Sequence, residues 1–568
     1  MIIRRVLSAF LVLFATSCTL FAQRIEPAFW WVGMKDTRLQ LLIHAPAIAE
    51  AQPRLAYAGV KVARVTKVKS PNYLFVDLVI SPAAKAGTFP IQFLKNGKSV
   101  LTYQYELKAR EKNSAQRQGF TPADVMYMIT PDRFANGNPA NDNVAGMLDQ
   151  ASRTGRDTRH GGDIQGIAQH LDYNKELGFT ALWINPLVEN NMPKASYHGY
   201  ASTDFYKIDP RFGTNEDYRN LSKAAQKQGI KLVIDLIMNH CGSSHWWMAD
   251  LPTDDWLNYQ DKYQVTNHAR ETIQDPHASE YDKKLHADGW FVSTMPDLNQ
   301  RNPLLAQYLI QNTIWWIEHA DLQGIRMDTY PYPDKDFMSE WSRRVLEEYP
   351  KFSMVGEEWS LNPALVAFWQ KGKKNRNGYV SYMPNMFDFP LQNALVEALN
   401  EDDKTYNRGL VKLYQTLSMD FLYESPNNLV IFPDNHDMSR FYTQIRENFD
   451  LWKMGMIYLL TARGIPQLYY GTEILMTNPK SDRHDEIRGE MPGGWPDHTT
   501  SVFADKGLTK KQVEARNFLT QLLQWRKSAP AVQTGKLKHF AVREGIYVYF
   551  RYTVSQKFMV IMNKNSEE

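Results

Sequence analysis

The stretch IKLVIDLIMNH, residues 230–240, packs isoleucine, leucine and valine around one aspartate, Asp235, and closes on Asn239–His240. A near-continuous apolar run of this length reads as a strand buried on both faces, as parallel strands covered by helices are. A carboxylate inside such a strand is costly unless it is paired or put to use. The residues before it, EDYRNLSKAAQKQG (216–229), have helical periodicity and end on glycine, a helix stop. Helix followed by buried strand is the repeating unit of an α/β fold.

The same unit recurs on both sides. VMYMIT (125–130) and FTALWINPL (179–187) read as buried strands. Between them DIQGIAQHLDYNKELG (163–178) reads as one helix, with Asp163 as N-cap and Gly178 as stop. LLAQYLIQNTIWWIEHA precedes LQGIRMD, FMSEWSRRVLEEY precedes SMVGEEW, and FDLWKMGMIYLLTA precedes GIPQLYYGTE. About eight such units over residues 120–527 predict a (β/α)8 TIM barrel. The longest interruption, residues 241–323 after the third strand, is expected to form an inserted sub-domain beside the barrel mouth. Residues 24–112 alternate short β-prone runs with turns, including the hairpin signal Asn96–Gly97, and predict an N-terminal β-sandwich. The polar run EKNSAQRQGF (111–120) reads as a linker. Residues 528–568 are β-prone again and are expected to be a partial, truncated C-terminal β-domain.

The length of 568 residues suits two or three domains. A formal net charge of +3 gives no basis for a nucleic-acid partner. The start, MIIRRVLSAFLVLFATSCTLFAQ, has a short basic end, an apolar run from Val6 to Ala15, and then small residues. It predicts a signal peptide, residues 1–22, and an exported, periplasmic protein. Cys18 offers a second reading, acylation as a lipid anchor, although Ala15 stands where leucine is usual. Without that leader only Cys241 remains, so no internal disulfide can form. No later segment is apolar enough to span a membrane.

Three more strand ends repeat the oddity of the opening stretch: Arg326 and Asp328 in GIRMD, Glu357 in VGEEW, and His436 and Asp437 in FPDNHD. Any one of them reads equally well as a helix cap. Four together point to one mouth, because a barrel gathers the C-terminal ends of its strands there. Paired carboxylates are what glycoside cleavage needs, one as nucleophile and one as proton donor. Arg326 and Asp328 are two apart and so share a strand face. The Arg326 charge favours an ionised Asp328, and crowding by other acids favours a protonated Glu357. His240 and His436 suit sugar hydroxyls, and Asp235 suits an anchor that orients the arginine or a histidine.

These four segments resemble the signature regions of the α-amylase family of glycoside hydrolases. GFTALWINPL (178–187), SYHGYASTDFYKIDPRFGT (196–214, with Tyr200 and Asp204) and MPDLN (295–299) resemble its supporting motifs. The domain order resembles the neopullulanase, cyclomaltodextrinase and maltogenic amylase subgroup, and the leader narrows the likeness to periplasmic neopullulanases of starch utilisation. The resemblance implies Asp328 as nucleophile, Glu357 as general acid/base, and Asp437 as the third carboxylate, which stabilises the transition state. It places Tyr200, His240, Arg326 and His436 in the same subsite. It implies a retaining, endo-acting enzyme on α-1,4 bonds of starch, pullulan and maltooligosaccharides, with panose released from pullulan. A cyclomaltodextrinase or maltogenic amylase with transglycosylation, and a plain α-amylase, remain open, as does a monomer or a homodimer. After Asp328 the sequence TYPYPD departs from the family pattern, which leaves linkage preference open.

The loop DRFANGNPANDN (132–143) is rich in oxygen ligands. Asn136, Asn138, Asn141 and Asp142, closed by Gly161 and Asp163, suit a structural Ca2+, and the subgroup has a similar loop. The same residues also suit an ion-free turn. Trp30 and Trp31 leave three roles open for the N-terminal domain: starch binding, dimerisation, or shielding of the barrel.

Overall fold

The computed structural model describes residues 23–403 and 406–565. The expected signal peptide, Cys18 included, lies outside them. At the centre eight parallel strands close into a barrel. In order they are Met126–Ile129, Ala181–Ile184, Lys231–Leu236, Gly324–Met327, Ser353–Gly356, Asn385–Phe387, Leu429–Ile431 and Ile465–Tyr469. The third is the opening stretch of the sequence analysis, and from Leu232 to Leu236 every residue is buried. The sixth strand is only three residues long and was not among those read from the sequence.

Register explains why the polar residues meet. Asp235 on the third strand lies beside Arg326 on the fourth, and Arg326 lies beside Val355 on the fifth. The chain then leaves each strand in step: the Asp328 amide donates to the Leu236 carbonyl at 3.0 Å, and the Glu357 amide to the Met327 carbonyl at 3.1 Å. Gly356 is required here, because a Cβ would lie 2.9 Å from the Tyr330 ring.

Two expected boundaries move. The helix predicted over 163–178 is two helices, Ile164–Gln169 and Leu171–Leu177, broken at His170. There the His170 ring stacks on Phe503 with centroids 3.6 Å apart, a tertiary contact that local periodicity does not encode. The insertion after the third strand is also shorter than 241–323. Its last part, Pro303–Ala320, is the barrel's own third helix, packed against the helices Asn215–Lys227 and Lys335–Glu348.

The N-terminal domain is a sandwich of two four-stranded sheets. Its Asn96–Gly97 hairpin has both residues at positive φ, 49° and 77°, the conformation that sequence favours. Trp30 and Trp31 are 3% and 5% exposed, so they are no platform for starch. Trp31 and Phe29 instead pack against Trp315 of the barrel. The run 111–120 is not a free linker: Arg117 is buried and Gly119 is bonded to the Lys351 carbonyl. At the other end Lys536–His539, Ile546–Tyr552 and Lys557–Asn563 form a three-stranded sheet. Its inner face, with Tyr547, Tyr549 and Arg551, is buried, and Arg551 donates to the Thr461 carbonyl at the end of the helix Phe449–Thr461, which precedes the eighth barrel strand. Among the described residues no helix is long and apolar enough to cross a membrane.

Candidate active site

Arg326 is the hub. Its guanidinium is buried, and Nη1 donates to Asp235 Oδ1 at 2.8 Å and to Asp328 Oδ1 at 2.7 Å. Nη2 pairs with Glu357 Oε2 at 2.8 Å. A buried guanidinium needs such partners, and its planar fork meets carboxylates from several directions at once. Asp235 is held in turn by Trp183 Nε1 at 3.0 Å and by the Tyr200 hydroxyl at 2.9 Å. That network is what the carboxylate in the middle of an apolar strand is for.

Glu357 also accepts the Thr329 amide at 3.0 Å, again on Oε2. Thr329 adopts φ of 44°, a left-handed conformation rare for a β-branched residue, and it aims that amide. Glu357 Oε1 and Asp328 Oδ2 are therefore the carboxylate oxygens that Arg326 and the Thr329 amide leave free. Asp328 and Glu357 are 6% and 7% exposed, yet both open onto a cleft of about 220 Å³. Asp437 lies on the same cleft, with Arg270, Phe291, Tyr332 and Trp359. Glu358, next to Glu357, points the other way and accepts the Trp369 indole at 2.9 Å.

Burial pushes Glu357 up to about 7; Arg326 opposes that shift, and Asp328 and Asp437 add to it. Burial likewise raises Asp328, to about 6, against the pull of Arg326. Burial would raise Asp437 too, but His436 and Arg488 outweigh it and hold the carboxyl well below the usual range. His240 and His436 are both driven toward the neutral form by burial.

The structure brings Asp328, Glu357, Asp437, Arg326, Tyr200, His240 and His436 to one mouth. The Tyr200 ring stacks on His436 at 5.3 Å between centroids, and its hydroxyl lies 2.6 Å from His436 Nε2. His240 is turned to the protein, with Nε2 3.0 Å from the Tyr200 carbonyl. Asp204, from the Tyr200 segment, lies away from the mouth and pairs with Arg24 of the N-terminal domain at 2.7 Å. Trp183 and Arg488 belong to the network and were not singled out in the sequence. Trp183 falls in a strand that reads simply as apolar, and Arg488 in a loop without periodicity.

The oxygen-rich loop also converges. A Cβ on Gly161 would lie 2.5 Å from Asp142 Oδ1, and Asn136 Nδ2 donates to that oxygen at 2.9 Å. Asn136 Oδ1 and Asn141 Oδ1 are buried with no hydrogen-bond partner. Asp163 is engaged otherwise: it accepts the amides of Gly137, Asn138 and Gly166 and caps the following helix. Asn138 Oδ1 accepts the Ala140 amide. Among the described residues no cluster of three or more His, Cys, Asp or Glu forms a metal site, so an ion in this loop would rest on amide and main-chain oxygens with Asp142 as its carboxylate.

Comparison with known proteins fits this geometry. Residues 128–531 match the alpha amylase catalytic domain, 24–111 the cyclomaltodextrinase N-terminal domain, and 537–568 the cyclo-malto-dextrinase C-terminal domain. The chain is 28% identical over 451 residues to a beta/alpha-amylase of Paenibacillus polymyxa, covering 78% of this chain but only 33% of that protein. It is 28% identical to a cyclomaltodextrinase of Geobacillus thermopakistaniensis, covering 78% of this chain and 69% of the relative. The α-amylase of Geobacillus thermoleovorans, solved with acarbose, superposes with a TM-score of 0.63 at 30% identity, over 79% of this chain and 88% of that one.

Proposed function

The chain belongs to the α-amylase family of glycoside hydrolases, and from that premise we propose that it is a retaining, endo-acting hydrolase of α-1,4 bonds in starch, pullulan and maltooligosaccharides. One observation carries the reading: a single guanidinium, Arg326, grips both Asp328 and Glu357. Two carboxylates anchored that closely suit the double-displacement spacing of about 5–5.5 Å and not the wider gap that admits a water.

In the first step Asp328 Oδ2 attacks the anomeric carbon while Glu357 protonates the departing glycosidic oxygen, whose bond to that carbon breaks. In the second, Glu357, now a carboxylate, takes a proton from water, and the resulting hydroxide displaces Asp328 from the same carbon. Asp437, held anionic, stabilises the positive charge that develops on the sugar ring in both steps. His240 fixes the Tyr200 main chain, and His436 holds the Oδ2 side of Asp437.

The oxygen-rich loop fits Ca2+. Asn136 Oδ1, Asn141 Oδ1, Asp142 and the Gly161 carbonyl are the residues that would hold it, with Asp163 and Asn138 shaping the turn. Bound there, the ion would pin the loop after the first strand. The leader read from the sequence supports export to the periplasm.

A cyclomaltodextrinase reading is favoured by the matches at the two terminal domains, and product analysis separates the two. The protein is incubated with pullulan, soluble starch and cyclodextrin, with Glu357→Gln as control. Panose from pullulan, absent with the variant, is the expected result. Rapid cyclodextrin cleavage with pullulan untouched would move the specificity to cyclomaltodextrinase. Product of inverted anomeric configuration, followed by NMR, would overturn the retaining assignment.

A further inference from the structure

Arg488 lies in the long segment between the eighth strand, which ends at Tyr469, and the helix Lys510–Lys527. It is 3% exposed, too enclosed to serve as a sugar ligand. Its contacts are nonetheless aimed at the site. Nη2 donates to Asp437 Oδ1 at 2.7 Å, and Nε donates to the His436 carbonyl at 2.8 Å. The guanidinium thus spans the Asp437 side chain and the main chain just before it. The other carboxylate oxygen, Oδ2, lies 3.1 Å from His436 Nε2.

The arginine is itself fixed. Its guanidinium carbon lies 5.8 Å from the centre of the Tyr197 ring. The preceding residue, Ile487, is held through its carbonyl by Arg440 Nε at 2.8 Å. Arg440 is three residues beyond Asp437, so the two segments brace each other at adjacent points. The remaining groups that bear on Asp437 are His484, 3.8 Å away, His198 and Tyr200 from the loop after the second strand, and Arg326, Asp328 and Glu357 across the mouth. His484 and His198 are both shifted toward the neutral form by burial. That leaves Arg488 as the permanent cation in direct contact with this carboxylate.

We propose that Arg488 is the positioning residue for the third carboxylate: it fixes the Asp437 side chain in one orientation and keeps it anionic, from outside the substrate's reach. The inference rests on the hydrolase reading above and adds a role that reading does not contain. A buried carboxylate without its cation tends to take up a proton and turn away. Asp437 would then lose the charge that stabilises the oxocarbenium-like transition state. The effect belongs to the transition state, so it should appear in kcat more than in KM.

The test uses the full chain with Arg488→Met and Arg488→Lys on a short chromogenic maltooligosaccharide. Arg488→Met is expected to lower kcat by about a hundredfold and to change KM by less than about threefold. The acid limb of its pH profile should move to higher pH and steepen toward a two-proton dependence, because Asp437 now titrates with Asp328. Arg488→Lys should recover at least about tenfold of kcat and bring the limb back, since it restores a charge without the fork. Tm is measured on both variants. Should the methionine variant not fold, the lysine variant still decides, through an intermediate kcat and a partly shifted limb. A folded variant with kcat within about threefold of the parent overturns the proposal, as does a large loss with an unmoved acid limb and no rescue by lysine. Failure of the hydrolase reading looks different: the parent protein itself would release no sugar.

Discussion

At the scale of single residues, Asp235 was legible because it broke a rule. A charge within five buried residues demanded a partner, and Arg326 was near enough in sequence logic to be that partner. The partner's reach was not legible. That one guanidinium also holds Glu357 depends on strand register, and that Arg488 holds Asp437 depends on a loop crossing. Two predictions belong here. The proposed mechanism requires Asp328 ionised and Glu357 protonated, and these groups are pushed up to about 6 and about 7. Activity should therefore fall as Asp328 gains its proton below about pH 6 and as Glu357 loses its own above about pH 7, giving a narrow bell in kcat/KM. A rate that is flat from about pH 5 to pH 8 would show that this pair does not control the reaction. Asp235→Asn keeps the shape of the anchor but leaves Arg326 short of one buried negative charge. It should cost about 3 kcal/mol in urea unfolding and ten- to a hundredfold in kcat. Unfolding and turnover both at parental values would mean that Arg326 does not need the Asp235 charge.

At the scale of elements, the barrel strands were legible from apolar runs, and their ends from the polar residues that follow. What failed had tertiary causes. The helix break at His170 answers to Phe503, far along the chain. The sixth strand is too short for any periodicity. Trp30 and Trp31 read as possible sugar platforms because composition cannot tell a buried indole from a displayed one. The oxygen-rich loop illustrates a subtler division. Its composition pointed to an ion, but the geometry sorts its members: Asp163 and Asn138 bind backbone amides, while Asn136 and Asn141 keep buried oxygens without partners. An unpaired buried carbonyl oxygen costs about 1–3 kcal/mol, which an ion would recover. A chelator should then lower Tm by several degrees, and Asp142→Ala should lower Tm and abolish the chelator response together. A parent protein whose melting ignores chelator and added Ca2+ alike has no structural ion in this loop.

At the scale of the whole molecule, the terminal domains are fastened to the barrel by buried polar contacts as well as by apolar area. Gln40 and Gln311 exchange hydrogen bonds at 2.7 Å in both directions across the sandwich and the third barrel helix. Glu318, at the end of that helix, accepts Arg110 at 2.7 Å, Arg117 at 3.0 Å and the Tyr349 hydroxyl at 2.8 Å. Arg110 closes the sandwich and Arg117 lies in the polar run that read as a linker, so the junction is a buried ion cluster where the sequence suggested slack. Polar composition alone could not reveal this, because a solvated linker and a buried charge network use the same residues. Two consequences follow from the physics of such clusters. The sandwich and barrel should unfold in one calorimetric transition, since separating them exposes the Trp31–Trp315 contact and strands these charges. Glu318→Ala removes the carboxylate that two guanidinium groups share and leaves each with one other partner, Glu348 for Arg110 and Asp321 for Arg117; it should destabilise that single transition by about 1.5–3 kcal/mol. The helix end at Glu318 leads into the start of the fourth strand, the rim opposite the active site. The kcat of this variant should therefore stay within about twofold of the parent wherever the protein is folded. Two resolved transitions in the parent, or an unchanged Tm in the variant, would mean that the domains are merely adjacent and that the cluster is not what holds them.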